Sequence, residues 1–263
     1  MRVVAAIDNS ATARAVLSAA STFATMLQAD VTALHVRAGG GWETASAAAS
    51  AAGIPVTLAT GDTLETIVAE AGQPDVTAVV LGTRGAPGGR RPAGHIAIGV
   101  ATAVMKPVVV VPPDARYPVR LWRLLVPLEG SLMTADAVHS MIRALCKAGA
   151  EVIVLHVIED DAVPAVTDQP QHEVDAWVAE FKRRYCDDPD IRIEVRAGGT
   201  VDHVFATAEA LDADAVLLAW GQRVAGGRGA KVTSVLERSQ IPVILVPVNG
   251  RDRAGEPARV GSG

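Results

Sequence analysis

Along this chain, short apolar runs alternate with stretches whose hydrophobic residues recur every three or four positions. Arg2-Val3-Val4-Ala5-Ala6-Ile7 reads as a buried strand that stops at Asp8-Asn9-Ser10, residue types able to cap the helix that follows. Ala13, Val16, Leu17, Ala20, Phe23, Ala24 and Leu27 then fall at helical spacing. Val31 to Val36 predicts a second strand, Trp42 to Ala52 an alanine-rich helix, and Ile54 to Ala59 a third strand. Gly61-Asp62-Thr63 opens a helix running to Ala71, and Val76 to Leu81 is the fourth strand. A loop of glycine and arginine follows, then a helix from Gly94-His95. Pro107 to Pro112 is the fifth strand, bounded by prolines that suit strand ends or a sheet edge.

The pattern then starts again. Asp8-Asn9-Ser10 corresponds to Glu129-Gly130-Ser131 at a spacing of 121, and Leu34-His35-Val36 to Leu155-His156-Val157 at the same spacing. Gly61 matches Gly199 at 138, so the second copy is 17 residues longer before its third helix. Gly82 matches Gly221 at 139 and Pro107 matches Pro242 at 135, so the second copy's glycine loop is 4 residues shorter. Crossovers between parallel strands are right-handed, and a βαβαβαβαβ run of this size gives a sheet covered on both faces. The expected fold class is α/β, two tandem doubly wound domains. We expect them at residues 1–114 and 121–248, with a linker at 115–120 and a disordered Gly-, Arg- and Pro-rich tail at 249–263.

Composition narrows the function. With 263 residues, 49% hydrophobic content and only 3% aromatic, Val, Leu, Ile and Ala must fill the core, as helices packed on a parallel sheet allow. A net charge of −5 with no basic stripe argues against a nucleic-acid surface. Cys146 and Cys186 make neither a disulfide framework nor a paired zinc motif, which favours a reducing interior. The amino terminus has no signal-type hydrophobic region, and no run approaches the length of a membrane span. A cytoplasmic protein without a membrane partner is expected.

The candidate chemistry lies between Val79 and Pro112. A loop leaving a strand through Gly82-Thr83-Arg84-Gly85, crossing Gly88, Gly89, Arg90 and Arg91, and entering a helix at Gly94-His95 suits an anion. Bare glycines let backbone approach a phosphate, the helix start offers unpaired N–H groups, and arginine adds charge. The bland readings stand beside this one. Glycines often only reverse a βα turn, Asp8 also reads as a helix cap, and Arg84, Arg90 and Arg91 read equally as solvated loop charges. His35 and His156 occupy equivalent strand positions, which favours a packing or backbone hydrogen-bond role over catalysis. Cys146 reads as a buried small hydrophobe near Val138, Ile142 and Leu145, and Glu159-Asp160-Asp161 as a solvated run. No Gly-x-Ser-x-Gly elbow, Walker-type Gly-Lys-Ser/Thr or zinc spacing of His139, His172 and His203 occurs, so residues for dedicated catalysis are lacking.

Both halves resemble the universal stress protein domain. The resemblance rests on Asp8 and Ser10 after the first strand, Leu-His-Val ending the second, Gly-x-x-Gly leaving the fourth, and Gly94 thirteen residues before Pro107. It covers nearly all of residues 1–248. It implies a flavodoxin-like five-stranded sheet of order 3-2-1-4-5 in each half, and pairing of the two domains as in a dimer. In one branch of the family it also implies ATP binding through Gly-x2-Gly-x9-Gly-[Ser/Thr]. Carried over, the resemblance assigns an adenine nucleotide, ATP with or without Mg, to Ala6, Ile7, Asp8, Val36, Leu81, Gly82, Thr83, Arg84, Gly85, Gly94, His95 and Ile96. Asp8 would face the ribose or adenine, the Val36 backbone the adenine edge, and Gly82, Gly85 and Gly94 the phosphates. Two departures stand out: 8 residues rather than nine separate Gly85 from Gly94, and His95 replaces Ser or Thr. In the second half Val224, Ala230 and Glu129 replace the corresponding glycine, hydroxyl and aspartate, so that half is expected to be mainly structural.

In the order 3-2-1-4-5, strands one and four flank the point where winding reverses, which makes Asp8 and Gly82 neighbours there. The functional expectation is a stress-linked regulator that binds an adenine nucleotide in its N-terminal domain. The alternatives are an interaction module of the same fold that binds none, and a slow ATPase. The fifth strands, Pro107–Pro112 and Pro242–Pro247, are edges in this order and are expected to pair, giving a pseudo-dimer able to form a homodimer.

Overall fold

The computed structural model of the chain describes residues 1–37, 41–83, 94–113, 115, 120–128, 132–158, 170–185, 191–223 and 227–248. The first half runs β1 (Arg2–Ala6), α1 (Ala13–Leu27), β2 (Asp30–Arg37), α2 (Glu43–Ala51), β3 (Val56–Thr60), α3 (Thr63–Ala71), β4 (Val76–Gly82), α4 (His95–Ala103) and β5 (Val108–Val111). The second half repeats it as β6 (Arg123–Leu128), α5 (Leu132–Lys147), β7 (Glu151–Ile158), α6 (Pro170–Tyr185), β8 (Arg192–Ala197), α7 (Thr200–Ala210), β9 (Ala215–Trp220), α8 (Gly227–Arg238) and β10 (Val243–Pro247). The tail at 249–263 and the acidic run at 159–161 lie outside the described residues.

The strands form one sheet of ten in the order β3-β2-β1-β4-β5-β10-β9-β6-β7-β8. Each half therefore has the order 3-2-1-4-5, and within each half neighbours are parallel. The fifth strands meet antiparallel, with Val110 opposite Val243, Val109 opposite Ile244 and Val108 opposite Leu245. The expected pairing of fifth strands is present, and it joins the two five-stranded halves into one continuous sheet. Pro107–Pro112 lies at the centre of a continuous sheet, and its prolines fall just outside β5, where they interrupt no ladder bond.

Because the central strands are buried on both faces, their sequences read as unbroken apolar runs. In β5, Val109 and Val111 belong to the core on the face covered by α1, α2, α5 and α6, whereas Val108 and Val110 belong to the core on the face covered by α3, α4, α7 and α8. With few aromatics available, interlocking Val, Leu, Ile and Ala do most of the filling, and Phe23 of α1 is, among the described residues, the largest side chain wholly out of solvent. Cys146 is only half-buried against this core, short of the full burial its spacing suggests.

The start of α1 corrects a local expectation. Its N-cap is Thr12, with no side-chain cap, and Asp8, Asn9 and Ser10 lie outside the helix in a turn of their own. Asp8 Oδ1 accepts from the Ser10 backbone N–H at 3.0 Å and from the Ser10 hydroxyl, which folds the chain back on itself before the helix begins. Gly61-Asp62-Thr63 behaves as its composition predicts: Asp62 caps α3 by accepting from the Glu65 N–H at 2.9 Å.

Candidate functional site

At the carboxyl ends of β1 and β4, where the winding of the first half reverses, lies a cavity of about 320 Å³. Ala6, Ile7 and Asp8 reach it from the end of β1, and Leu81 and Gly82 from the end of β4. Leu34, His35 and Val36 of β2 form one side, and Thr63 and Ile67 of α3 and Ile96 of α4 close the other. The cavity is mostly apolar, with Asp8, Asn9, Thr12, His35 and Thr63 as polar groups along it, the usual make-up of a small-molecule site.

Each polar group is held by its own local chemistry. His35 is buried, and its Nδ1 lies 3.0 Å from the Ile7 carbonyl oxygen, tying β2 to the end of β1 beside Asp8. His156 makes the equivalent contact with the Leu128 carbonyl at 2.9 Å, so the repeated histidine is a backbone fastener, as its repetition suggests. Asn9 braces the opposite rim: its Oδ1 accepts from the Ala45 N–H at 3.0 Å and its Nδ2 donates to the Gly41 carbonyl. Ala45 is in the first turn of α2, so Asn9 supplies from another element the cap that Trp42 lacks.

Ala6, Ile7, Asp8, Val36, Leu81, Gly82 and Ile96, all expected at the site, line this cavity. Thr83, Gly94 and His95 do not. Thr83 is buried and turned to β5: its N–H and hydroxyl both donate to the Val111 carbonyl, at 2.8 and 3.0 Å. Its own carbonyl accepts from the Gly94 N–H at 2.7 Å, closing the base from which residues 84–93 leave and return. Thr83 and Gly94 thus set the loop's root, while His95 is exposed at the first turn of α4. Arg84 and Gly85, with Arg90 and Arg91, lie outside the described residues.

Sequence reading missed Asn9, Thr12, Thr63 and Ile67. Thr63 and Ile67 are four apart on a helix and so share a face, a spacing legible once α3 is placed beside the switch point. Among the described residues no group of three or more His, Cys, Asp or Glu side chains converges on a metal position. Asp8 is the one carboxylate among the described cavity residues.

The equivalent end of β6 and β9 differs in kind. Its cavity is about 70 Å³ and is lined by apolar Leu128, Leu155, Val157 and Leu218, with Thr200 and Lys231 among its polar members. Trp220 stands where Leu81 stands in the first half. It is buried, and its Nε1 donates to the Ala101 carbonyl of α4 at 2.8 Å. Gln222 Nε2 donates to the Val104 carbonyl at 3.0 Å beside it. This end of the second half is thereby bonded to the first.

Residues 122–247 match the universal stress protein family. The second half of the chain is a universal stress protein domain, and the first half has the same strand order. The chain is similar in fold to a functionally unknown protein from Pseudomonas aeruginosa PAO1, with a TM-score of 0.72 at 15% identity over 94% of this chain and 92% of that one. A universal stress protein from Archaeoglobus fulgidus DSM 4304 aligns with a TM-score of 0.66 at 18% identity, over 94% of this chain and 98% of the other. A putative universal stress protein from Pseudomonas aeruginosa UCBPP-PA14 gives 0.67 at 14% identity, over 94% and 92%. No match was found among curated proteins.

Proposed function

We propose that the protein is a stress-linked regulator that binds one adenine nucleotide, ATP in the first instance, in its first half. The observation that supports this most is the 320 Å³ cavity at the first switch point, set against 70 Å³ at the second. In this reading the adenine lies against Ile7, Leu34, Val36 and Ile67, and the Asp8 carboxylate takes the ribose hydroxyls. The phosphates run past Gly82 toward the first turn of α4. Nine residues long, α4 has N–H groups at its start that no helical carbonyl takes up. Arg84 and Gly85 would complete the phosphate end.

The same reading makes residues 1–114 and 121–248 two domains, with the second chiefly a structural partner, and puts the protein in the cytoplasm. It also makes the protein a binder rather than a catalyst: among the described residues the cavity offers one carboxylate, Asp8, and its histidine, His35, is engaged with the Ile7 carbonyl. Micromolar binding, about −8 kcal/mol, is enough to bias a partner surface.

Isothermal titration of the purified chain with ATP should give one site per chain in the micromolar range. Gly82→Val, which puts a branched side chain on the cavity wall, should weaken binding at least about tenfold, roughly 1.4 kcal/mol. Gly221→Val, at the corresponding place in the second half, should not. A protein that releases no nucleotide on heat denaturation and takes up none in the calorimeter would instead be the interaction module.

A further inference from the structure

With β5 and β10 consumed in joining the halves, the sheet has two outer edges, β3 and β8, and they are built differently. β8 carries Arg192, Glu194 and Arg196. Glu194 is bridged by Arg192 at 2.7 Å and by Arg196 at 2.8 Å, a charged rim of the kind that keeps an edge strand from pairing. α6, at that end of the sheet, adds Asp175, Glu180, Lys182 and Arg183. β3 has no charge at all. From Gly41 to Gly61 the only charged residue is Glu43, although 20% of the whole chain is charged. Within this stretch Trp42 is 41% and Leu58 46% exposed, and α2 shows solvent Thr44, Ala47, Ser50 and Ala51.

The backbone of β3 sets what this edge can accept. The Ala33 N–H donates to the Pro55 carbonyl at 2.8 Å, and Ala33 stands opposite Val56 in the ladder. By the alternation of a strand, Pro55, Thr57 and Ala59 therefore turn their backbone groups toward β2. Val56, Leu58 and Thr60 turn theirs outward. Pro55, the one proline here, has its missing N–H on the inner side and protects nothing. The outward groups are symmetric about Leu58.

We propose that β3 is the homodimer interface, pairing antiparallel with β3 of a second copy about a twofold axis at Leu58. In that register Leu58 exchanges both hydrogen bonds with Leu58 of the second copy, and Val56 faces Thr60 on either side. All outward donors and acceptors of both strands are taken up at once, as an isologous contact requires. The Leu58 side chain is on the face of Val56, which packs into the core on the α2 side, so the two leucines cover each other between two alanine-rich helices. An uncharged strand has no charge pattern for a foreign partner to complement. The junction of β5 with β10 already uses the same antiparallel edge pairing inside the chain. The charged flanks do not collide: Asp62 falls beside Ile54 of the second copy.

Sedimentation of the purified chain at micromolar concentration should give a particle of twice the 27.2 kDa chain mass. Leu58→Lys, at an exposed position, should raise the dimer dissociation constant at least tenfold with unchanged circular dichroism. Arg192→Ala on the opposite edge should leave it alone. Leu58→Cys, in a chain lacking Cys146 and Cys186, should form a self-disulfide on mild oxidation. Hydrogen-bonded antiparallel residues stand about 5.5 Å apart at Cα, within disulfide reach. A monomer at 100 μM, or a dimer that survives Leu58→Lys and yields no Leu58→Cys cross-link, would overturn the proposal. Should Leu58→Lys fail to fold, the cross-link alone decides.

Discussion

Arg2 shows how one side chain organises the floor of the first half. Its guanidinium bonds Asp75 at 2.7 Å, Glu70 at 2.6 Å and the Thr32 hydroxyl at 3.0 Å, tying β1 to β2, to the end of α3 and to the start of β4. The hydrogen bond from Arg2 holds the Asp75 carboxyl below the usual carboxylate range and raises the Arg2 pKa in turn. A depressed acid stabilises the fold above its unfolded pKa and loses that contribution as pH falls through its folded value. The melting temperature should therefore fall more steeply in the wild type than in Asp75→Asn once the pH drops below about 4. The difference between the two proteins should be small, because Asp75 is exposed to solvent, and should narrow toward pH 2. Parallel melting curves from pH 7 to 2 would show instead that the bridge is thermodynamically idle.

At the scale of elements, α2 is the least self-sufficient helix of the first half. It has nine residues, no side-chain cap of its own and a shallow, alanine-only buried face of Ala45 and Ala49. Isolated helices of that length are marginal, so its stability is borrowed from tertiary contacts. Asn9 makes one of these through Ala45. Asn9→Ala should cost about 1 kcal/mol and should speed amide exchange in the first turn of α2 more than in α1. Unchanged exchange at α2 would mean that core packing alone holds it. The same dependence explains why capping by Asp8-Asn9-Ser10 is readable from composition while its target is not. These residues follow a strand and precede a helix, yet Asp8 folds onto Ser10, and Asn9 caps a helix 36 positions away.

For the whole molecule, the seam between β5 and β10 makes the two halves one structural body. Cores on both faces of the sheet run across it, and Trp220 and Gln222 add hydrogen bonds from the second half to the last turn of α4 and the residue after it. Urea unfolding should then follow a single transition, coincident by far-UV circular dichroism and tryptophan fluorescence. Ile244→Asp places an unpaired charge in the seam opposite Val109 and should cost several kcal/mol and separate the transitions of the halves. Two transitions in the wild type would show that the halves fold independently and merely touch.

Much of this architecture is written in the order of residues. Strand–helix alternation follows from hydrophobic period, and the internal repeat from recurring Leu-His-Val and glycine positions. The strand order is what the resemblance to the universal stress protein domain implies, and that order brings Asp8 to Gly82 before any coordinate is known. These are local or topological properties, and short-range sterics and burial decide them. What only the tertiary structure decides is where side chains turn once several options satisfy the same pattern. Thr83 and His95 sit in a motif that reads as ligand-facing, yet the hydroxyl of Thr83 is taken by the Val111 carbonyl and His95 faces solvent. The two copies look alike in sequence spacing, but an apolar lining that includes Leu128, Leu155, Val157 and Leu218 leaves the second hollow at about 70 Å³ against about 320 Å³ in the first. Such outcomes depend on competition among partners distant in the chain. A hydrogen-bonding group is committed by whichever acceptor the fold brings within 3 Å, and the sequence by itself does not contain that distance.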